Sequence, residues 1–375
     1  MDELLSPPLW IDTAAAVTDL AENLQRFNQI AIDTESNSLH AYKEQACLIQ
    51  FSIPGTDYLV DPLRIKDLNC FHPIFGSEKI EKIFHASEYD IICLKRDYGY
   101  KFNNIFDTMI AARVLGTREI GLNNLLNMEF GVELDKRYQK ANWGRRPLPG
   151  EYLSYARMDT HYLIQLRDIL HDRLKQVNLL DLALEEFERM TRVEPSASES
   201  INKEIWRVKG SRDLNGRQLA ILLELLRWRD ATAKRMKRPP FKIISSEQLA
   251  QIALCESINL DTLKEEFRLS KLQIERYGRE ILQAFDAGKI AKPINQLQTE
   301  RMTRATRERV DRLKTFRKSA AARMKVESDI ILPRDVLYDL AVTPPKDWDA
   351  FMERMKLYPW RLDHFGKEIF TAIST

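Results

Sequence analysis

The stretch IAIDTES (30–36) decides how the first half of the chain folds. An apolar run ends in two carboxylates separated by one residue, the pattern of a buried strand whose end carries charge. Residues two apart in a strand share a face, so Asp33 and Glu35 stand side by side and repel. Such a pair is tolerated only when protonated, separately hydrogen-bonded or neutralised by cations. Hard divalent cations such as Mg2+ or Mn2+ prefer oxygen ligands of this kind, so the pair points to metal more readily than to acid–base work. Taken alone, the same spacing also suits the solvated start of a loop.

Outward from this strand, short apolar runs alternate with helical patterns. ACLIQFSI (46–53) and DYLVDP (57–62) read as consecutive strands, with Pro54 and Gly55 as the turn. EKIFHA (81–86) reads as a further strand, after which Ser87 caps a helix that Gly99 ends. NNIFD leads into the helical TMIAARVLG and then GLNNLLNMEFG. From Pro149 one long helix is predicted through YLSYARMDTHYLIQLRDILHDRLK, with Tyr152, Tyr155, Asp159, Tyr162 and Leu163 spaced by threes and fours. The first 190 residues are therefore α/β.

The segment TRVEPSASES (191–200) breaks the periodicity and reads as a linker. Beyond it the chain is helical in pattern, and it repeats. WRDATAKRMK (228–237) sets on FRKSAAARMK (316–325) at an offset of 88, and the same offset sets ERYGREILQAF (275–285) on DHFGKEIFTAI (363–373). The ungapped match, about a quarter identical, makes the second half two copies of one small all-α helical domain.

Length and composition bound the rest. A chain of 375 residues can hold two or three domains. No apolar run approaches the roughly 20 residues that span a membrane, since LAILLELL is broken by Glu224. The start MDELLSPPLW lacks the features of a signal peptide, so a cytoplasmic protein is expected. Cys47, Cys70, Cys93 and Cys255 form no CxxC pair and read as reduced thiols. The net charge of +2 hides an asymmetry: residues 1–200 hold 22 Lys+Arg against 31 Asp+Glu, and residues 201–375 hold 35 against 24. A basic half beside an acidic one suits a polyanion held by one part while the other acts on it. A solvated surface would carry the same charges.

Further carboxylates stand at matching places. HASEYD puts Asp90 just inside the helix after EKIFHA, and YARMD puts Tyr155 and Asp159 four apart on one helix face. A charged residue beside an apolar run is rarely buried unless paired or metal-bound. The set DTE, then HxxxxD, then YxxxD resembles the three motifs of the DEDD superfamily of 3′–5′ exonucleases in its tyrosine-bearing subclass. The flanking IAIDTE, CLIQF, FHAxxxD, FDT, RPL and YARxDTHYL are similar to bacterial ribonuclease D. The tandem repeat resembles the HRDC domain, the carboxy-terminal module of helicases and ribonuclease D.

The resemblance implies a ribonuclease H-like exonuclease domain over 1–190, a mixed sheet flanked by helices, then a linker over 191–210 and HRDC domains over 211–288 and 303–375. It implies two divalent ions, Mg2+ or Mn2+, with Asp33, Glu35 and Asp159 on the first, Asp33 also reaching the second, and Asp90 acting through the second ion's water shell. Two such ions activate a water and stabilise the leaving oxygen. Tyr155 would orient that water, because a phenol with an ordinary pKa near 10 is a poor base. His85 and His161 are expected to be structural.

Substrate contacts are expected from Thr34, Leu39, Arg145 and Arg146. DTESNSL departs from many ribonuclease D sequences and resembles proofreading exonucleases, in which a Leu wedges against the terminal base. Leu39 either does so or covers the core. Trp143, Arg145 and Arg146 precede the catalytic helix, where Arg suits phosphate. KRMKRPPFK (234–242) and the span 301–318 are basic patches that either contact nucleic acid or are solvated helix faces.

The expected activity is metal-dependent 3′–5′ exoribonucleolysis releasing nucleoside 5′-monophosphates, on structured RNA 3′ ends such as tRNA precursors, by a protein without membrane contact and expected to be monomeric. A DNA exonuclease and a nucleic-acid-binding protein with an inactive nuclease fold are the alternatives. Deleting residues 201–375 is expected to leave a folded nuclease.

Overall fold

The structure is a computed structural model that describes residues 6–196, 201–295 and 302–374. The end of the predicted linker (197–200) and Arg301 of the second basic span lie outside the described residues. Among those residues no helix is long and apolar enough to cross a membrane.

The first half of the chain is built on a six-stranded sheet of order β1-β4-β3-β2-β5-β6. The strands are β1 Leu9–Ile11, β2 Gln29–Ser36, β3 Ala46–Ile53, β4 Thr56–Val60, β5 Glu81–Phe84 and β6 Ile105–Asp107. The β2–β3–β4 segment is antiparallel and the other pairings are parallel, so the sheet is mixed. Strand β3 is buried at all eight positions, as its unbroken apolar run requires of a strand covered on both faces. Gly55, at φ +80°, makes the tight turn into β4 where a side chain would be strained.

The long helix expected after Pro149 is two helices, Gly150–His161 and Leu163–Gln176. Tyr162 between them sits at φ −99°, ψ 0°. The two segments bury different surfaces. The second buries an apolar stripe of Leu163, Leu166, Leu170 and Leu174, whereas the first buries Ala156, Arg157 and Thr160. A break lets each face seat independently.

The chain divides into two compact units, and they cut across the sequence repeat. The first holds residues 6–36 and 46–195 together with the second helical repeat from Met302, whose apolar residues Leu313, Ile331, Leu340, Phe351 and Ile369 belong to the same core as the sheet. Between the sheet domain and this repeat, Arg113 pairs with Glu327 and Asp329, at 2.7 and 2.6 Å. Gly116, at φ +75°, lies so close to the repeat that a Cβ would stand 2.5 Å from the Lys325 carbonyl oxygen. The second unit holds the first repeat and the segment Asn37–Gln45. In it the helices Gly216–Met236 and Lys271–Ile290 pack around Leu222, Leu225, Leu249, Leu263 and Ile281. Tyr42 packs on this core and donates its hydroxyl to Asp230 Oδ1 at 2.7 Å. The two repeats end their first helices alike, with Lys237 and Lys325 in the left-handed region at φ 51° and 58°.

The expectation that residues 201–375 can be removed does not survive this arrangement. The second repeat completes the core of the sheet domain, so its removal would expose buried apolar surface.

Candidate active site

Strand β2 delivers the first two acids as its period demands. Asp33 pairs with Gln50 and Glu35 with Leu48 across the antiparallel ladder, and the register shifts between Glu35 and Ser36. Such a bulge ends regular pairing at the motif and lets the chain turn away. The helix Gly150–His161 brings up Asp159, so that one carboxylate oxygen from each of Asp33, Glu35 and Asp159 lies within 4.8 Å of the other two. These acids, Thr34, Asp90 and Tyr155 line one cleft of about 470 Å³.

Asp90 stands apart from that group. It is buried in the first turn of the helix Glu88–Tyr98, and its Oδ1 accepts from the Thr34 N–H at 3.1 Å and the Thr34 hydroxyl at 2.5 Å. Thr34, 7% exposed, thus holds Asp90 on β2 in addition to lining the cleft.

Repulsion among the acids shows in their protonation. Burial, then Asp90, Asp159 and Glu35, raise Asp33 well above the usual carboxylate range. Burial, then Asp159 and Asp90, do the same to Glu35. Burial pushes Asp159 up to about 7, opposed by a hydrogen bond from Tyr155. Asp90 is likewise pushed up to about 7 by burial, against the hydrogen bonds from Thr34. Tyr155 is raised by burial and then by Asp159, so its phenol keeps its proton and acts as a donor.

A buried polar node fixes the helix that carries Tyr155 and Asp159. Asp57 on β4 accepts from Arg157 Nη2 at 2.5 Å, His161 Nδ1 at 2.9 Å and the Ser52 hydroxyl at 2.7 Å. The Ser52 and Thr160 hydroxyls are 2.7 Å apart. Burial alone would raise Asp57, but the bonds from His161 and Ser52 and the charge of Arg157 outweigh it and hold the carboxyl below its ordinary value. The ring of Tyr155 packs between Trp143 and Tyr138, with centroids 5.9 Å from each.

A second node shapes the strand-to-helix turn before Asp90. Asp107, at the end of β6, accepts from the Ala86 and Ser87 N–H groups at 3.2 and 2.7 Å and caps the next helix through Met109 and Ile110. It thereby supports Ala86 at φ 63°, a conformation unusual for a residue with a side chain. His85 lines the cleft, with Nδ1 2.9 Å from the Thr108 hydroxyl, and burial lowers its pKa.

The expected substrate residues fare differently. Arg146 is committed elsewhere: it bonds Asp61 through Nε and Nη2 at 2.6 and 2.7 Å and the carbonyls of Cys47 and Trp143 at 2.6 and 2.8 Å, anchoring the loop to the sheet. Trp143, 1% exposed, is wall and not surface. Arg145 is exposed. Leu39 is 38% exposed and lies in the segment that belongs to the second unit. Sequence reading assigned no role to Asp57 or Asp107. The FDT stretch marks the latter, while Asp57 gives no local signal because its basic partners, Arg157 and His161, lie about 100 residues away.

The donor set fits a divalent metal centre. Three carboxylates converge at ligand separation, an arrangement that a bound divalent cation would hold in ionised form. Gln50, directly across from Asp33, also buries both its amide atoms without a protein partner, as a site completed by an ion and its waters would.

Residues 8–175 match the family described as 3′–5′ exonuclease, and residues 218–285 and 306–373 each match the HRDC domain, at the offset of 88 found in the repeat. The exosome complex component 10 homolog of Caenorhabditis elegans is 32% identical over 260 residues, 68% of this chain and 30% of the relative. The exosome complex exonuclease RRP6 of Saccharomyces cerevisiae is 31% identical over 262 residues, 66% and 36% of the two chains. The chain thus spans about a third of the length of these relatives. Among solved structures, the catalytic core of RRP6 from Trypanosoma brucei is 26% identical with a TM-score of 0.65, over 77% of this chain and 81% of that one. Escherichia coli RNase D shares the fold over 97% of this chain and 99% of its own, at 23% identity and a TM-score of 0.68.

Proposed function

With residues 8–175 a 3′–5′ exonuclease domain of the DEDD family and two HRDC domains behind it, we propose that this protein is a metal-dependent exoribonuclease that releases nucleoside 5′-monophosphates from RNA 3′ ends. The convergence of Asp33, Glu35 and Asp159 beside the protonated phenol of Tyr155 carries the reading.

Asp33, Glu35 and Asp159 would hold one divalent ion, Asp33 would reach a second, and Asp90 would act through that ion's water shell. Mg2+ or Mn2+ bound there lowers the pKa of an attacking water and stabilises charge on the leaving oxygen. In the displacement a bond forms from the water oxygen to phosphorus and the bond to the 3′ oxygen of the preceding nucleotide breaks. Tyr155, a poor base held protonated, donates to the attacking oxygen and fixes its line of approach. Thr34 keeps Asp90 turned to the cleft, and Asp57 keeps the helix of Tyr155 seated.

The exosome exonucleases among the relatives support RNA as the substrate class, as does the likeness of fold to an exoribonuclease described as acting in structured RNA processing. The basic second half, 35 Lys+Arg against 24 Asp+Glu, suits phosphates farther along the strand. Within this reading the protein works in the cytoplasm as a monomer on substrates such as tRNA precursors. Hydrolysis of matched RNA and DNA single strands, with Mg2+ or Mn2+ and then with chelator, tests it. Mononucleotide release from RNA that stops with chelator is the expected result. Cleavage of DNA alone would assign a DNA exonuclease, and binding without cleavage an inactive fold.

A further inference from the structure

Two neutral side chains line the acid cleft, and each has one end of its amide fixed. Asn123 and Asn124 lie at the start of the helix Leu122–Phe130, in the cleft that holds Asp33, Glu35, Tyr155 and Asp159. The Leu134 N–H donates to Asn123 Oδ1 at 2.7 Å, so the oxygen is fixed there and the NH2 group, with two donors, is left for the cleft. Asn124 Nδ2 donates to Glu119 Oε2 at 2.7 Å. A carboxylate only accepts, so the nitrogen must face Glu119 and Oδ1 is left to accept. The two partners thus fix both amide orientations, leaving a set donor on Asn123 and a set acceptor on Asn124, neighbours in the lining of the cleft.

We propose that Asn123 and Asn124 recognise the ribose of the 3′-terminal nucleotide through its 2′-hydroxyl, giving preference to RNA ends over DNA ends. This rests on the exoribonuclease activity proposed above. A hydroxyl both donates and accepts, and so matches one fixed donor and one fixed acceptor. Base edges carry donor and acceptor patterns that differ from base to base, so the same pair turned on a base would favour some nucleotides. An enzyme that removes successive nucleotides meets every base, and the sugar is what they share. The 2′-hydroxyl is also the group by which a protein tells RNA from DNA at a given site. Neutral amides suit the place, because another carboxylate would repel phosphate and an ammonium would be drawn to the acids.

The test compares kcat/KM, with Mn2+ present, on an oligoribonucleotide and on the same strand whose last residue alone is 2′-deoxy. Wild type, Asn123→Ala, Asn123→Asp and Asn124→Leu are measured side by side. Asn123→Asp removes the donors and keeps the acceptor for the Leu134 N–H, so the local fold has its bond. The ratio of the two substrates cancels any change in folded fraction or metal loading. Wild type should prefer the ribose end by about tenfold, the worth of one or two hydrogen bonds in a half-buried site, and each variant should bring the ratio toward one. A wild-type ratio of one, variants that keep the full preference, or effects confined to particular terminal bases would overturn the inference. Failure to cut either strand would overturn the activity itself, and the inference with it.

Discussion

Arg361 of the second helical repeat is wholly buried against Glu186 of the exonuclease domain, with its Nη2 2.5 Å from Glu186 Oε1. Its Nη1 pairs with Glu185, and Nε and Nη2 reach the carbonyls of Ile331 and Ile330 at 3.0 and 2.6 Å. A guanidinium taken fully out of water is tolerated only when it is paired and hydrogen-bonded, and here two carboxylates and two carbonyls take four of its five donors. Burial still leaves the Glu185 carboxyl above its ordinary value, with Arg361 opposing the rise. One interface thus joins the second HRDC domain to the body of the nuclease.

Breaking that cluster should cost the nuclease domain its stability. Arg361→Ala leaves two buried carboxylates facing each other, and removal of one partner of a buried ion pair costs about 3–5 kcal/mol. The thermal midpoint of the full chain should fall by several degrees, and truncation at residue 301 should give protein that aggregates or binds ANS. A truncated protein with a sharp, unchanged melting transition would show that the shared core is dispensable.

Much of this was legible because it is local. The period-two run into DTE, the helix that ends at Gly99 and the text of each repeat are carried by residues near one another in sequence, and all three are present, although the Ser87 hydroxyl makes no cap bond and Asp107 holds that turn through the Ser87 N–H instead. What escaped is non-local. Arg361 and Glu186 are 175 residues apart, and nothing near either announces the other. Arg146 reads as a phosphate contact because it stands in the loop before the catalytic helix and Arg suits phosphate, yet its partner Asp61 lies 85 residues away. The break at Tyr162 escaped because both helices keep helical spacing, and only the change from a polar to an apolar buried face marks it.

Metal removal should make stability depend on pH with a definite sign. Asp33, Glu35, Asp90 and Asp159 all titrate higher in the folded protein than the values near 4 of an unfolded chain. The folded state therefore binds more protons between those values, and the stability this contributes is present at low pH and lost as pH rises through about 7 for Asp90 and Asp159. In EDTA the melting temperature should be lower at pH 8 than at pH 5.5. Mn2+ must displace protons to bind, so it should raise the midpoint more at pH 8. Asp33→Asn should raise the EDTA midpoint at pH 8 and abolish the Mn2+ shift. Equal Mn2+ shifts for wild type and Asp33→Asn would remove Asp33 from the ligand set.

Tyr155→Phe separates chemistry from binding. Loss of one hydrogen bond made in the transition state costs about 10²–10³ in rate, and single-turnover hydrolysis should slow by that order. Before substrate binds, the one proton of the phenol is donated to Asp159 in a hydrogen bond that lowers its pKa. Without it Asp159 holds its proton more tightly, so Mn2+ affinity should drop at pH 6 and change little at pH 8. Unchanged single-turnover rates would return Tyr155 to a packing role between Trp143 and Tyr138.

The node at Asp57 predicts that a residue behind the cleft controls metal affinity. The helix Gly150–His161 seats its sheet face through Arg157, Thr160 and His161, and Asp57 accepts from two of them. Asp57→Asn keeps the side chain's shape and removes its charge, leaving the Arg157 guanidinium, 8% exposed, without a counterion. The helix should shift or fray at the turn that carries Asp159, and outer partners of metal ligands typically govern affinity by about 10–100-fold. Calorimetry with Mn2+ should show a loss of that order alongside a lower melting temperature, while Asp57→Glu, which keeps the charge, should recover part of both. If Asp57→Asn melts early yet binds Mn2+ with wild-type affinity, apolar contacts alone place Asp159 and the polar node serves only stability.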